Sequence, residues 1–119
     1  MGLDQFLMRE VSGGEDVVEI YWRKSNQIHG FFDRVCGGVE NCQRYPVETS
    51  QLKELREICK TVLNNPSFAE EMLPTMRGFF FGEYDYDEYY FSQLEYTVKE
   101  IDKLLEKDDD DEYYYLTWW

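Results

Sequence analysis

The sequence predicts a single α+β domain: a small antiparallel sheet, formed by an N-terminal hairpin and a C-terminal strand, packed against three main helices. Three observations predict it. Residues 3–11 alternate with a period of two, as a half-buried strand does. Phe91, Leu94, Val98, Ile101 and Leu105 repeat at three and four, as one face of a long helix does. The chain then finishes on Tyr113, Tyr114, Tyr115, Leu116, Thr117, Trp118 and Trp119, residues of high β-propensity that are costly to leave in water. At 119 residues the chain builds one core, and a hydrophobic content of 43% with 18% aromatic residues is ample to fill it. The acidity therefore does not imply disorder.

Taken in order, Leu3, Gln5, Leu7, Arg9 and Val11 point one way and Asp4, Phe6, Met8 and Glu10 the other. Ser12-Gly13-Gly14-Glu15 has the chemistry of a turn, since glycine admits positive φ without steric cost. The β-branched stretch at residues 16–20 returns as the second strand of a hairpin. A helix is expected to open near Tyr21, with Tyr21, Ile28, Phe32 and Val35 on its apolar face. It should stop at Cys36, because Gly37-Gly38 supplies a C-terminal signal. Residues 37–48 read as a loop or short extended structure around Tyr45-Pro46-Val47. Thr49 or Ser50 then caps a second helix with Leu52, Leu55, Ile58, Cys59, Val62 and Leu63 inside. Asn64-Asn65-Pro66 ends it, and Ser67 with Glu70 fits a capping box for a short helix that stops at Leu73-Pro74. The aromatic run Gly78-Phe79-Phe80-Phe81-Gly82 reads as buried plugging, with a ring-face ligand platform as the alternative. The third main helix begins near Asp85 or Asp87, whose carboxylates suit a helix N-terminus. Glu95 and Lys99 pair on its outer side. The closing aromatic strand is expected to pair with residues 3–11, which turns the acidic run before it into a tight charged loop.

Charge narrows the function. The net charge is −13, and residues 83–112 alone hold thirteen carboxylates against three lysines, a net of −10. Such a surface repels nucleic acid and anionic membranes and attracts basic proteins. Direct DNA binding is therefore not expected, whereas binding to a protein that itself binds DNA is. No apolar run approaches the ~20 residues of a membrane span, and no signal peptide is read at Met1-Gly2-Leu3-Asp4-Gln5. Three cysteines without a secretion signal point to reduced thiols in a cytoplasm. With His29 they are the ligand types of a zinc site, but Cys36, Cys42 and Cys59 lack any C-x-x-C pair. Neither the acids near Asp85 nor the aspartate run has the EF-hand arrangement. No metal or cofactor is expected.

Several stretches resemble a family of small phage-encoded proteins: Met1-Gly2-Leu3-Asp4, then Tyr21-Trp22-Arg23-Lys24 with Asn26, Ile28, His29 and Phe32, then Leu73-Pro74-Thr75, Gly78-Phe79-Phe80-Phe81-Gly82 and Tyr86-Asp87-Glu88-Tyr89-Tyr90. The resemblance covers the chain to about Leu105. It implies a phage accessory protein acting in the cytoplasm of a bacterial host. The family has no assigned activity, so the resemblance carries over no catalytic residue. The acidic run and the Tyr/Trp ending depart from its pattern, and an added acidic surface suits a protein that counters host defence.

Two groups of residues are candidates for the site. The first is the acidic aromatic surface of Glu83, Asp85, Asp87, Glu88, Asp108, Asp109, Asp110, Asp111 and Glu112. Duplex DNA carries one charge per ~1.7 Å of axis, and proteins meet it with Lys and Arg, so a folded display of carboxylates can occupy the same basic channel. Tyr and Trp among the acids would supply the anchors. The expected function is thus non-enzymatic inhibition of a host nucleic-acid-binding defence protein, such as a CRISPR effector or another defence nuclease, by DNA mimicry. The bland alternative is a solvated surface that aids solubility. The second group is a stripe read on the opening helix: Trp22, Asn26, His29 and Asp33, with Arg23 beside it. It reads first as a fastening of the fold. Its alternatives are a pocket for a small nucleotide signal built from Trp22, Arg23, Asn26, His29 and the aromatic run, and a small enzyme with His29 as general base oriented by Asp33. No nucleophile motif or phosphate-cradling loop accompanies it. Oligomeric state is not legible.

Overall fold

The computed structural model describes residues 2–76, 85–107 and 112–119. The run at Gly78-Phe79-Phe80-Phe81-Gly82, and Glu83 and the aspartates 108–111 with it, lie outside the described residues. Strand β1 (Asp4–Arg9) and β2 (Val17–Arg23) form the expected hairpin, and helix α1 (Asn26–Val35) follows. Strand β3 (Arg44–Val47) leads to α2 (Thr49–Asn64), a 3₁₀ turn (Pro66–Phe68) and the short α3 (Ala69–Met72). Helix α4 (Glu88–Leu105) and strand β4 (Tyr113–Trp118) complete the chain. The sheet is antiparallel with the order β2-β1-β4-β3. The closing aromatic strand pairs with β1 as expected, Leu7 opposite Tyr115. The extended piece at Arg44–Val47 adds a fourth strand on its far side, with Tyr45 opposite Tyr115.

Period-two alternation decides which face is inside. Leu3, just before the first strand, and Gln5 and Leu7 within it are fully buried, as are Ile20 and Trp22 of β2 and Tyr115 and Thr117 of β4. Against this inner face pack Ile28, Phe31 and Phe32 of α1, Leu52, Leu55 and Cys59 of α2, and Leu94 and Ile101 of α4. Phe32 stacks on Tyr115 with centroids 4.1 Å apart, and Trp22 meets Phe32 at 6.0 Å.

The opening helix begins later than its apolar spacing suggests. Tyr21, Trp22 and Arg23 belong to β2, a β-branched and aromatic run whose alternation buries Ile20 and Trp22 and leaves Tyr21 and Arg23 exposed. Lys24 then adopts a left-handed φ of 53°, which breaks the strand from the helix. The stripe Trp22, Asn26, His29 and Asp33 is therefore not one helical line. At its other end α1 closes as expected: Gly38 N–H donates to Asp33 O at 2.7 Å and Gly37 N–H to Arg34 O at 3.4 Å. This is a Schellman motif, and Gly37 (φ 76°) and Gly38 (φ 106°) supply its left-handed turn.

Two caps differ from expectation. The N-cap of α2 is Glu48 rather than Thr49 or Ser50, and the Gln51 side chain accepts from the Glu48 amide at 2.8 Å in a reciprocal capping box. Ser67 does not cap α3. Pro66, with its preset φ, starts the 3₁₀ turn directly after Asn65, so Ser67 lies inside it and donates to Asn65 Oδ1 at 2.7 Å. Asp87 caps α4 as expected, accepting from Tyr90 N–H at 3.1 Å. The buried face of α4 is Tyr90, Leu94, Thr97, Ile101 and Leu104, rotated from the predicted one so that Phe91, Val98 and Leu105 flank it. The rotation follows from two polar contacts: Trp22 Nε1–H donates to Thr97 Oγ1 at 2.9 Å, and Tyr90 O–H to Leu73 O at 2.6 Å.

Leu94 is fully buried where α4 meets the rest of the core. Leu94→Ala should lower unfolding free energy by about 2–5 kcal/mol, measured as a shift of the urea midpoint at unchanged m-value.

Candidate interaction surface

Residues of the two candidate groups fall in different environments. Trp22, Asn26 and His29 are each at most 1% exposed, and each is bonded within the fold. Asn26 Oδ1 accepts from the Met76 amide at 3.0 Å. Arg23 is exposed at the end of β2, and its carbonyl accepts from the Tyr89 hydroxyl. Asp33 does not orient His29: its carboxylate accepts from the Val39 amide at 2.8 Å, just beyond the Schellman turn.

His29 instead completes a buried chain of hydrogen bonds that starts at Gln5. The Gln5 amide grips the Ser25 peptide at both ends, donating to its carbonyl and accepting from its N–H at 2.9 Å each. That fixes which end of the Gln5 side chain is nitrogen. The second Gln5 hydrogen goes to the Tyr115 hydroxyl at 3.1 Å, and Tyr115 Oη lies 2.9 Å from His29 Nδ1. Having accepted from Gln5, Tyr115 has its own proton to donate, so His29 Nδ1 is the acceptor and the ring is neutral with its hydrogen on Nε2. Burial pushes the His29 pKa down to about 4 against a weaker pull from Asp33. Burial pushes the Tyr115 hydroxyl well above its ordinary range. A proton-accepting His29 Nδ1 is thus already occupied by a tyrosine. The Trp119 ring stands edge-on to His29 at 5.3 Å, held by Asn41, whose amide pairs with the Trp119 peptide at 2.7 and 2.8 Å.

Of the acidic group, Asp85, Asp87, Glu88 and Glu112 are described, and all are exposed. The fold separates them. Asp85, Asp87 and Glu88 gather at the N-terminus of α4, while Glu112 lies beyond its C-terminus, and 18 helical residues span about 27 Å between. Asp87 also serves as the cap. What the sequence does not reveal is that Glu112 has company from distant parts of the chain. Its carbonyl accepts from the Glu10 amide at 2.9 Å. Glu10, Glu48 and Glu112, all exposed, wall a groove of about 420 Å³ with Pro46, Val47 and Tyr113. A period-two reading places Glu10 on the Phe6–Met8 side of its strand, but only strand order brings Glu48 to it.

The remaining thiols are dispersed, with Cys59 buried, Cys36 half-buried and Cys42 exposed. Burial raises the Cys59 pKa to about 12, so it behaves as a small hydrophobe. Among the described residues, no three of His, Cys, Asp and Glu gather in a metal-binding cluster, and no helix is long and apolar enough to cross a membrane. Fold and surface together define a small α+β domain with a bonded aromatic core and an acidic exterior. In comparison with known proteins, no family model, no curated protein and no solved structure matches the chain.

The histidine gives the chain a pH signature. Its folded pKa lies below the usual value near 6.5, so between pH 6.5 and 4 the unfolded chain binds a proton that the folded one refuses. This contribution to stability is complete above pH 6.5 and is lost as pH falls toward 4, to a total of about 3 kcal/mol. Urea titrations across that range should show His29→Gln losing less stability on acidification than the parent, by about one proton's linkage. Tyr115→Phe strands Gln5 and His29 together and should cost about 1–3 kcal/mol at neutral pH.

Proposed function

We propose that the chain is a phage-encoded, non-enzymatic inhibitor acting in the bacterial host cytoplasm. It binds the basic nucleic-acid-binding surface of a host defence protein, a CRISPR effector or another defence nuclease, and excludes DNA from it. The observation that carries this reading is the charge: −13 overall, with −10 inside residues 83–112. Solubility of a small domain needs a net charge of magnitude about 2–8, and the excess is available for a partner. Carboxylates at this density meet the lysines and arginines that would otherwise hold phosphates, and long-range attraction speeds the encounter. The burial of Trp22, Asn26 and His29 in bonds internal to the fold supports a fastening role for them rather than a ligand pocket or general-base catalysis.

An electrostatic mimic must respond to salt. Immobilised on resin and exposed to host extract, the chain should capture a nucleic-acid-binding protein at low ionic strength and release it steeply as salt rises. Retention that is flat across the series rules the mimic out. Replacing Asp108, Asp109, Asp110 and Asp111 together by lysine should abolish capture while the far-UV circular dichroism stays unchanged. His29→Gln, in contrast, should capture as the parent does, and loss of capture by a folded His29→Gln would favour the pocket.

A further inference from the structure

The inner face of the sheet carries the helices; the outer face is set in rows by the strand register. Tyr21, Phe6 and Leu116 form one row, and the rings of Phe6 and Tyr21 lie 5.3 Å apart. Val18, Met8 and Tyr114 form the next. Trp118 closes one end opposite Asp4. Several of these side chains stand in solvent: Trp118 is 66% exposed, Val18 50% and Tyr21 39%. Tyr114 is the exception, buried beneath the Arg44 guanidinium 4.9 Å from its ring, with its hydroxyl donating to Asp16 at 2.7 Å. At the end opposite Trp118, one row beyond Met8 and Tyr114, stands the groove of Glu10, Glu48 and Glu112.

We propose that this outer face, with the glutamate groove at its end, docks a protein partner that presents an apolar patch beside a lysine or arginine. The proposal rests on the reading of a basic partner, and places the anchor of the contact on the sheet instead of on the ends of α4. Area and charge select the occupant. Four strands ~4.8 Å apart and about six residues long at ~3.3 Å each make a face of roughly 400 Å². A stable complex buries about 800 Å² per partner, so half the contact must come from the flanks. A second copy would bring its own glutamates and its own −13 charge to those flanks, where like charges repel. A basic surface gains there instead, with one cationic side chain in the groove. Trp118 and Tyr21 are the residue types that anchor interfaces, large and rigid enough to repay desolvation.

The test maps binding on the full ¹⁵N-labelled chain with two blocked peptides, one alternating lysine and leucine, the other glutamate and leucine. Sedimentation of the chain alone runs beside it. The Lys/Leu peptide should shift the amides of Met8, Val18 and Leu116 and the Trp118 indole. Glu10→Gln combined with Glu112→Gln should weaken it at least fivefold, as should Trp118→Ser, each with an unchanged melting temperature. Asp85→Asn combined with Glu88→Gln, at the other end of α4, should change it less than twofold. Shifts confined to the ends of α4, with Trp118→Ser binding normally, overturn the docking face and leave the basic partner standing. Failure of the Lys/Leu peptide to bind at low salt overturns both. Equal binding of the two peptides removes the role of the glutamates, and a dimer of the chain that buries Trp118 replaces the partner by a second copy.

Discussion

The fold depends on a single buried side chain that does the work of a strand partner. Gln5 lies on the inner face of β1, where an apolar residue is expected, and its amide closes on the Ser25 peptide at the junction between β2 and α1. That junction must turn sharply, since Lys24 is left-handed and its N–H returns to Leu3 O at 2.7 Å. Without Gln5 the buried Ser25 N–H would lose its partner, at about 1–3 kcal/mol, while the Ser25 carbonyl would keep only the amides of Ile28 and His29. The same amide reaches Tyr115 and, through it, His29, so β1, β4 and α1 are bonded at one point in the middle of the apolar core. A polar network of this kind stabilises only when complete, which makes it a device for specifying one arrangement of the core over others. The neutral state of His29 fits that completeness, because its accepting nitrogen already takes the Tyr115 hydroxyl's hydrogen bond and burial disfavours its charged form.

Helix α4 solves a second problem, the open edge of β2. As α4 proceeds, Tyr89, Tyr96 and Lys107 meet Arg23, Tyr21 and Glu19 in turn, so the helix runs antiparallel to the strand along its free side. The tyrosine hydroxyls reach backbone groups that would otherwise offer a template for another chain. Glu19, the extra residue where the register shifts, is held by Arg9 at 2.7 Å and by Lys107 at 3.0 Å. These bonds hold its carboxyl below the usual range against the opposing effect of burial. At the other edge, β3 is only four residues long and contains Pro46, which blunts it. Both edges are thus closed, while Val18, Tyr21 and Trp118 on the outer face between them stay exposed.

The start of α4, the end of α1 and the pairing of β4 with β1 were legible because they rest on local chemistry. Asp87 and Gly37-Gly38 act within one turn of themselves, and the Tyr/Trp ending had to be buried somewhere, for which a place beside β1 was the shortest answer. The opening of α1 was misread for a physical reason: Tyr21, Ile28 and Phe32 satisfy a helical spacing, yet Tyr21 is exposed on a strand, and spacing alone does not report where a backbone turns left-handed. The network was illegible for another reason. Gln5, Ser25, His29 and Tyr115 are brought together only by strand pairing, and a lone glutamine within an alternating strand carries no sign of what it will meet. Glu10 and Glu48 were missed in the same way. A run such as the aspartates advertises itself, whereas three glutamates separated by dozens of residues do not.

That contrast bears on how an acidic protein of this size can be specific. Charge spread along a surface attracts any basic protein, and its interactions are screened within ~10 Å at 0.1 M salt. It speeds encounter without choosing the partner. Choice requires groups that are desolvated on contact, and these must be apolar, shaped and fixed in position. Here the strongest acidic runs flank α4, while the exposed Trp118, Tyr21 and Val18 stand on the rigid sheet that Gln5 and Tyr115 hold in register. The groove of Glu10, Glu48 and Glu112 joins the two, since three carboxylates border the end of the outer face there. In the proposed complex the aspartate run would draw a basic surface in, and the sheet would decide whether it stays.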